Sequence, residues 1–179
     1  MSPDTRRQAI FVAVFLIVVV MFVLTFRLGV VHGQSMAPTY QDGQVVLVRR
    51  RNLWSGPLHH DDVVLVRKDR DVLIKRIYLL PGEELTNPAI VRATFVNNVA
   101  DYYEQQITDT PRGPITRLFV PEGFIVVLGD NRRVSDDSRQ FGPVPIRNVL
   151  GVVVGSPPPP TPAERAAAGG EPSSRLGAR

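Results

Sequence analysis

The segment that decides the fold is VLIKRIY at residues 72–78, an apolar run interrupted by two cations. Side chains of a strand alternate between its two faces, so Leu73, Lys75 and Ile77 share one face. If that face is buried, Lys75 loses hydration, which disfavours its charged form and makes a neutral amine available near physiological pH. If that face is exposed, Lys75 is an ordinary surface lysine. The segment therefore predicts a strand and contains one candidate base.

Similar short runs, rich in valine and isoleucine and separated by Gly, Pro, Asn and Asp, fill the chain from residue 31 to residue 155. Few windows support a soluble helix, and the stretch Glu84–Gly113 has no clear pattern. The expected fold class is mainly β, with an antiparallel sheet domain over residues 32–155. The predicted strands are Gln44–Arg50, Asp62–Arg67, Val72–Tyr78, Ile115–Val120, Phe124–Leu128 and Asn148–Val154.

A membrane anchor is expected before this domain. Ala9–Phe26 contains 18 uncharged residues, of which only Thr25 is polar. A helix of that length reaches about 27 Å, close to the hydrocarbon thickness of a bilayer. Leu28–Val31 can extend it past Arg27 by snorkelling, so the anchor is predicted over residues 9–31. A cleaved signal peptide is the alternative, but its apolar region is usually shorter, about 7–15 residues, and no A-x-A-like site follows Phe26.

The charges around the anchor bear on its orientation. Arg6 and Arg7 lie in a short tail, residues 1–8, and favour a cytoplasmic N-terminus, whereas Arg27 on the other flank weakens that preference. We therefore expect a single-pass protein of the cell membrane with the lipid bilayer as a partner. The sheet domain would then be extracytoplasmic.

Composition excludes several other classes of protein. The chain has no cysteine, which excludes a disulfide scaffold, a thiol nucleophile and cysteine-ligated metal sites. Its net charge of +4 is small, and Arg49–Arg51 is the only basic run. Short charge runs are usually solvated surface, so no nucleic-acid partner is expected.

The C-terminal residues 156–179 have the composition of a disordered tail. They contain four consecutive prolines, an Ala-Ala-Ala-Gly-Gly stretch and only one large apolar side chain, Leu176. Such a segment buries too little apolar surface to fold by itself. A ligand of the PxxP type is the alternative.

Two further segments carry candidate chemistry. GQSMAPT at residues 33–39 directly follows the anchor, and its Ser35, taken alone, is a turn residue. GDNRRVSDDSRQFG at residues 129–142 follows the strand Phe124–Leu128. This polar loop is either a solvated connection or a backbone tied into fixed geometry by its short Asp, Asn and Ser side chains.

Taken together and in order, these segments resemble bacterial type I signal peptidases. The shared motifs are Ser-Met-x-Pro-Thr after an apolar helix, Lys-Arg in a strand before Pro-Gly, and Gly-Asp-Asn-Arg-x-x-Ser-x-Asp-Ser-Arg-x-x-Gly. The resemblance covers roughly Gly33–Val144, and its last motif is highly specific. It implies a serine endopeptidase with a Ser/Lys dyad that removes signal peptides from translocated preproteins. No cofactor and no metal are expected.

The resemblance also implies roles for individual residues. Ser35 would be the nucleophile, Lys75 the general base and Ser135 the group that orients the lysine amine. Asp137 and Arg139 would form a supporting ion pair. The residues expected to shape the loop around the site are Asp130, Asn131 and Arg132. Candidate walls of a shallow apolar pocket, for small substrate residues before the cleaved bond, are Val31, Met36, Tyr40 and Ile74.

Three positions depart from the pattern of the family. Leu79 stands where a glycine is common, and Glu83 stands where an aspartate is common, so the backbone after Tyr78 is expected to differ locally. Gly33 stands where some members have a serine that donates to the oxyanion. Losing such a donor costs about 2.7–4 kcal/mol where the enzyme relied on it. These departures bear on efficiency more than on the class of reaction.

Histidine is an alternative base, which relatives in other lineages use. His59 and His60 lie in a loop before a strand and His32 only follows the anchor, so no catalytic role is expected. Adjacent His59 and His60 beside Asp61 and Asp62 lack the spacing of a metal site.

Two other functions remain as alternatives. A self-cleaving regulator of the SOS-repressor type uses a Ser/Lys pair but needs a soluble DNA-binding domain, where this chain has an apolar span. A membrane-anchored, non-catalytic β module is the second. The joint presence of Ser35, Lys75 and Ser135 argues against it, because loss of any one would abolish activity.

Overall fold

A computed structural model describes residues 3–51 and 56–168. Its helices are α1 (Pro3–Thr25), α2 (Pro88–Val96), α3 (Ser138–Phe141) and α4 (Pro162–Ala168), with two 3-10 turns at Ala100–Tyr102 and Ile146–Asn148. Its strands are β1 (Phe26–Val30), β2 (Val45–Arg50), β3 (Val63–Lys68), β4 (Asp71–Leu79), β5 (Glu104–Thr110), β6 (Gly113–Phe119), β7 (Phe124–Leu128), β8 (Val144–Pro145) and β9 (Val149–Val153).

The described strands form one sheet of seven strands and a separate hairpin. The order in the sheet is β1-β2-β9-β3-β4-β7-β8, and β5 pairs with β6 in the hairpin. Every one of these pairs is antiparallel. The prediction of a mainly β, antiparallel domain is confirmed.

The central strands are buried on both faces. In β3, Val63 and Leu65 belong to one apolar cluster, whereas Val64 and Val66 belong to another. The first cluster lies under the loop between β1 and β2. A third cluster lies where β7 meets α2 and the hairpin. Because β4 is also covered on both sides, four consecutive residues, 74–77, are buried, and two of them are cations.

The six predicted strands are confirmed, each within two residues of its expected bounds. The stretch without a clear pattern contains α2 and β5. Helix α2 begins at Pro88 because the side chain of Asn87 accepts a hydrogen bond from the Ala89 backbone N–H and caps its first turn.

The predicted extent of the anchor, residues 9–31, is wrong at its C-terminal end. Helix α1 ends at Thr25, and Phe26–Val30 form β1 instead. The reason is that β2 offers a ladder of backbone partners, with Phe26 opposite Arg49 and Val30 opposite Val45. The apolar helical window runs from Arg6 to Thr25 and has a mean hydropathy of 2.9.

The prediction of a disordered tail is wrong for residues 156–168, whereas residues 169–179 lie outside the described chain. Pro160 is buried, and α4 follows directly. Thr161 and Glu164 cap this helix through reciprocal side-chain to backbone hydrogen bonds. Composition does not reveal the contacts that hold this segment on the sheet domain, which include the Pro157 carbonyl bonded to Arg76 and the Ser156 hydroxyl bonded to the Val153 carbonyl.

Candidate active site

Ser35 lies in the loop that joins β1 to β2, called the nucleophile loop here and comprising residues 31–44. Its two ends are joined by backbone hydrogen bonds from Val31 N to the Gln44 carbonyl, 2.9 Å, and from Gly43 N to the Val31 carbonyl, 2.9 Å. Gly33 has a φ of +79°, which favours glycine, and its N–H donates to Asp42 Oδ1 at 2.8 Å. These contacts hold Ser35 half-buried above the sheet.

Lys75 reaches this loop from the middle of β4. Its side chain is buried, with 3% exposed, and its Nζ donates to Ser35 Oγ at 2.8 Å. Burial lowers the pKa of the Lys75 amine because the charged form loses its hydration. The carboxylates of Asp137 and Asp136 act in the opposite direction but do not cancel that effect. The serine hydroxyl therefore faces an amine that is biased towards its neutral form.

The loop at residues 129–142 packs against both residues. Its Asn131 backbone N–H donates to the Ser35 carbonyl at 3.0 Å. A Cβ atom at Gly129 would lie 2.1 Å from Ser135 Oγ and 2.6 Å from the Ser35 carbonyl oxygen. Only glycine fits at position 129, where the backbone passes close to Ser135 and to the Ser35 carbonyl. The sequence pattern alone does not indicate this requirement. Ser135 Oγ is buried here without a hydrogen-bond partner in the described residues, so the expected contact with the lysine amine is not formed.

Asp137 and Arg139 meet as an ion pair. Arg139 Nε donates to Asp137 Oδ1 at 2.8 Å, and its Nη2 donates to the Arg132 carbonyl at 2.8 Å. Burial alone would raise the pKa of Asp137, but hydrogen bonds from Arg139 and from the Gly129 N–H lower it. Asp137 also caps α3, with Gln140 completing a capping box. The pair therefore fixes the turn of the loop that carries Ser135.

A second buried ion pair was missed by sequence reasoning. Arg76 Nε and Nη2 donate to Asp130 at 2.9 and 2.7 Å, and Thr39 Oγ1 donates to the same carboxylate. The resemblance implies only a loop-shaping role for Asp130 and gives no role to Arg76 or Thr39. The available signal was the position of Arg76 beside Lys75, since adjacent strand residues point to opposite faces.

Arg132 lies at the edge of this arrangement. Its guanidinium stacks over the ring of Tyr78, 5.9 Å from the centroid. Burial lowers the pKa of Arg132 to about 10, and the charge of Arg165 in α4 adds to this effect. Arg132 therefore stacks on Tyr78 and lies within electrostatic range of Arg165 in α4.

An apolar cavity of about 210 Å³ opens beside the dyad. Ser35 and Lys75 lie in its wall with Val31 and Ile74, two of the four residues expected there. The other two, Met36 and Tyr40, are buried in the cluster below the nucleophile loop and are not among the lining residues. Further lining residues are Gly29, Val30, His32, Val46, Leu65, Val72 and Leu73.

Comparison with known proteins identifies the family. Residues 5–156 match the profile of a family described as signal peptidase, peptidase S26. The chain belongs to this family. It is 34% identical to signal peptidase I V of Bacillus subtilis over 142 residues, 69% of this chain and 80% of that protein. It is 32% identical to signal peptidase I of Bacillus caldolyticus over 163 residues, 83% of this chain and 87% of that protein.

A solved structure is also similar, the signal peptidase I of Enterococcus faecalis V583. It is 29% identical to this chain, and the match covers 54% of this chain and 97% of that one, with a TM-score of 0.35. Membership of the signal peptidase family makes this chain a serine peptidase and therefore a hydrolase. Family membership favours this enzymatic function over the alternative of a non-catalytic binding module.

Leu79 and Glu83, two of the positions that depart from the signal peptidase pattern, lie where the backbone after Tyr78 has a register shift and a turn. The pairing of β4 with β7 shifts register between Ile77 and Leu79. Glu83 closes the following turn, because its Oε2 accepts the Leu80 N–H at 2.8 Å. Its other oxygen lies 2.8 Å from His60 Nε2. The longer glutamate therefore closes the turn and also contacts a neighbouring loop.

None of the three histidines makes a hydrogen bond or an ion pair with the dyad in the described residues. His59 lies 3.7 Å from Asp62 and His60 binds Glu83, both at the surface, whereas His32 lies in the wall of the cavity. Within residues 3–51 and 56–168, no group of three or more potential ligands stands close enough to hold a metal ion.

Proposed function

We propose that this chain is a membrane-anchored serine endopeptidase that removes N-terminal signal peptides from translocated preproteins through a Ser35/Lys75 dyad. The observation that carries this proposal is the 2.8 Å hydrogen bond between Lys75 Nζ and Ser35 Oγ, together with the lowered pKa of that buried amine. A lysine accepts a proton from serine only when it is neutral.

The reaction then follows in two stages. Neutral Lys75 takes the hydroxyl proton as Ser35 Oγ attacks the carbonyl carbon of the scissile peptide bond, and the Ser35 backbone N–H stabilises the oxyanion. The protonated amine gives that proton to the leaving nitrogen, which departs with the mature protein and leaves an acyl-enzyme. Lys75 next accepts a proton from water as the water oxygen attacks the ester, and it gives that proton to Ser35 Oγ when the ester bond breaks and the signal peptide is released.

Ser135 is proposed to orient the amine during this cycle. Its Oγ is buried beside Gly129 and has no hydrogen-bond partner in the described chain, so its acceptor capacity is free. A lysine that has taken the Ser35 proton carries three N–H donors and needs a second acceptor in this dry environment. Asp137 and Arg139 hold the backbone of Ser135 in place, since Arg139 Nη2 donates to the Ser135 carbonyl at 3.2 Å.

The register of the sheet supports substrate binding as an added strand. Residues 71–75 of β4 pair with β3, whereas β7 pairs with β4 only from Arg76 onwards. One backbone edge of Val72–Lys75 therefore faces the cavity, whose opposite wall is formed by Gly29–Val31. An extended peptide laid there makes main-chain hydrogen bonds regardless of its sequence. The shallow apolar wall at Val31 and Ile74 suits a small side chain before the cleaved bond.

Helix α1 is proposed as the membrane anchor. Its apolar window of 20 residues has the length of a span, and every large apolar side chain from Ile10 to Leu24 is exposed. Arg6 and Arg7 favour a cytoplasmic N-terminus, and we therefore propose that the sheet domain is extracytoplasmic. The lipid bilayer and signal-peptide-bearing preproteins are then the partners.

The test is cleavage of a preprotein by the full chain purified in detergent. Mass spectrometry of the products should show a single cut after the signal peptide, and Ser35→Ala should give none. No cleavage by the full chain, or equal cleavage by Ser35→Ala, would contradict the proposal. Protease digestion of sealed inverted vesicles tests the orientation, because the sheet domain should be protected.

A further inference from the structure

We propose that Ser156–Ala168, here called the strap, is a positioning element of the peptidase site. No hydrogen bond joins the strap to Ser35 itself in the described residues. The strap supports the nucleophile loop indirectly, through hydrogen bonds that involve Arg76 and Asp130. This inference rests on the peptidase activity proposed above, and it concerns the part of the chain in which composition alone predicts only a disordered tail.

The strap completes the surroundings of Arg76. Arg76 Nη1 donates to two carbonyl oxygens, that of Asp61 at 2.9 Å and that of Pro157 at 3.0 Å. Its Nε and Nη2 bind Asp130, so the guanidinium has partners on all of its nitrogens. The side chains of Arg76 and Asp130 are 5% and 0% exposed. A carbonyl from the strap therefore satisfies a donor of a buried ion pair.

The same ion pair holds the nucleophile loop. Asp130 Oδ2 accepts a hydrogen bond from Thr39 Oγ1, and Thr39 belongs to the loop that carries Ser35. The next residue, Asn131, donates its backbone N–H to the Ser35 carbonyl at 3.0 Å. A displacement of Asp130 is thus transmitted to Ser35 by two routes, one through a side chain and one through the backbone.

The sequence of the strap suits this docking. Prolines lack an N–H group, so four in a row present acceptors without adding donors that would need partners. Their fixed φ also lowers the entropy that the free segment loses when it docks. Pro160 is buried, and Thr161 with Glu164 caps α4 beyond it. Residues of the strap face Pro38 and Thr39 across a shared cavity.

Removal of the strap has a specific expected consequence. Water would reach Arg76 and Asp130, and an ion pair weakens when its surroundings become more polar. Thr39 would then be held less firmly, and a displacement of about 1 Å at a reacting group costs about 10²-fold in rate. The cavity beside the dyad contains no strap residue in its wall, so substrate binding should be spared.

The experiment compares two shortened chains with the full chain, all assayed in detergent on the same preprotein. The chain that ends after Gly155 should show a kcat lowered by about tenfold or more, with KM unchanged. The chain that ends after Ala168 is the matched control and should behave like the full chain, because no contact in this argument reaches beyond that residue.

A chain ending after Gly155 with an unchanged kcat would overturn the inference. So would a fall in kcat matched by an equal rise in KM, since that would assign the strap to substrate binding. An inactive full chain would instead contradict the proposed function, and the two failures are thereby distinguished. Thermal melts show whether each variant is still folded at the temperature of the assay.

If the chain ending after Gly155 does not fold, replacement of Pro157–Pro160 by four glycines keeps the length and the carbonyls but loosens the strap. The kcat of this variant should fall severalfold, and an unchanged kcat would overturn the inference.

A double-mutant cycle tests the route through Thr39. Thr39→Val removes the hydroxyl that donates to Asp130 and keeps the shape of the side chain. If the strap acts through this contact, Thr39→Val should lower kcat clearly in the full chain and much less in the chain ending after Gly155, because groups in one network are not additive. Equal losses in the two backgrounds would contradict a shared route and would leave the strap with a merely structural role.

Discussion

Lys75 and Arg76 are neighbouring cations of β4 whose side chains lie on opposite faces of the strand and bind different partners. Their exposed fractions are nearly equal, 3% and 4%. Arg76 forms a two-pronged ion pair with Asp130, whereas Lys75 donates to the uncharged hydroxyl of Ser35. Burial of a cation without a carboxylate partner is costly, and a lysine can avoid that cost by losing its proton. An arginine cannot, because its pKa is too high.

Arg139 maintains this difference between the two faces. The carboxylate of Asp137 raises the pKa of Lys75, and the charge of Arg139 acts in the opposite direction. Because Arg139 binds Asp137 directly, it partly cancels the one nearby charge that would most favour a protonated Lys75. The face that contains Arg76 has no such requirement, since the ion pair there is structural.

The largest expected effect is on the dyad. Ser35→Ala and Lys75→Ala should each lower kcat/KM by about 10³-fold or more, because each removes a reacting group. Their losses should not add, and a double variant much slower than either single variant would contradict the dyad. Arg67→Ala, an exposed position on β3, is the control and should retain activity. Cleavage assays and thermal melts on the purified variants provide the measurement.

The next largest effect is the loss of stability expected when the ion pair between Arg76 and Asp130 is broken. Asp130→Asn should lower the free energy of unfolding by about 3–5 kcal/mol, because it leaves the charge of Arg76 buried without compensation. Urea unfolding of the full chain in detergent measures this loss. Asp109→Asn, at an exposed position of β5, is the matched control and should change stability little. Equal effects of the two substitutions would mean that water compensates Arg76.

The sequence predicts the special position of Lys75 but not the burial of Arg76. Alternation in VLIKRIY correctly predicts the strand and identifies Lys75 as special if its face is buried. The same alternation assigns Arg76 to the other face, which would be solvent-exposed in a sheet covered on one side. On that face Arg76 is buried among Asp130, the Asp61 carbonyl and the Pro157 carbonyl of the strap, and nothing in the local pattern of β4 reveals partners so far away along the chain.

The other missed elements have similar causes. Phe26–Val30 continues the apolar run of α1, so hydropathy alone cannot show where the helix ends and where pairing with β2 begins. Helix α2 depends on a cap by Asn87 and has only nine residues. Gly129 looks like a turn residue in the sequence, and its role appears only where Ser135 crosses the Ser35 backbone. Motif resemblance selects the candidate site residues, whereas packing decides their supporting contacts.

A moderate effect is expected at Arg139. Arg139→Ala should lower the free energy of unfolding by about 2–3 kcal/mol, less than a fully buried pair, because the guanidinium is partly exposed. It should also move the rise of kcat/KM to higher pH, because uncompensated Asp137 raises the pKa of Lys75. Thermal melts and pH profiles separate the two effects. Unchanged melting with no activity at any pH would instead assign Arg139 to the catalytic or substrate-binding residues.

The smallest expected effect is the pH dependence of stability that comes from Lys75. Because its pKa is lowered in the folded chain, the unfolded chain holds the proton over the range between that value and the ordinary lysine value of about 10.4. Within that range the unfolded state binds more protons, so the free energy of unfolding rises with pH. Lys75 therefore opposes folding most at low pH and least at alkaline pH.

Lys75→Met isolates this contribution, since methionine has a similar length and no titrating proton. The difference in free energy of unfolding, wild type minus Lys75→Met, should increase as the pH rises towards the ordinary lysine pKa, in urea titrations of the full chain in detergent. Other titrating groups are common to both proteins and cancel in the difference. A difference that stays flat, or that falls with pH, would mean that Lys75 remains charged where it is buried. The two neighbouring cations of β4 would then be alike in charge, and the activity should no longer rise with pH through a lysine base.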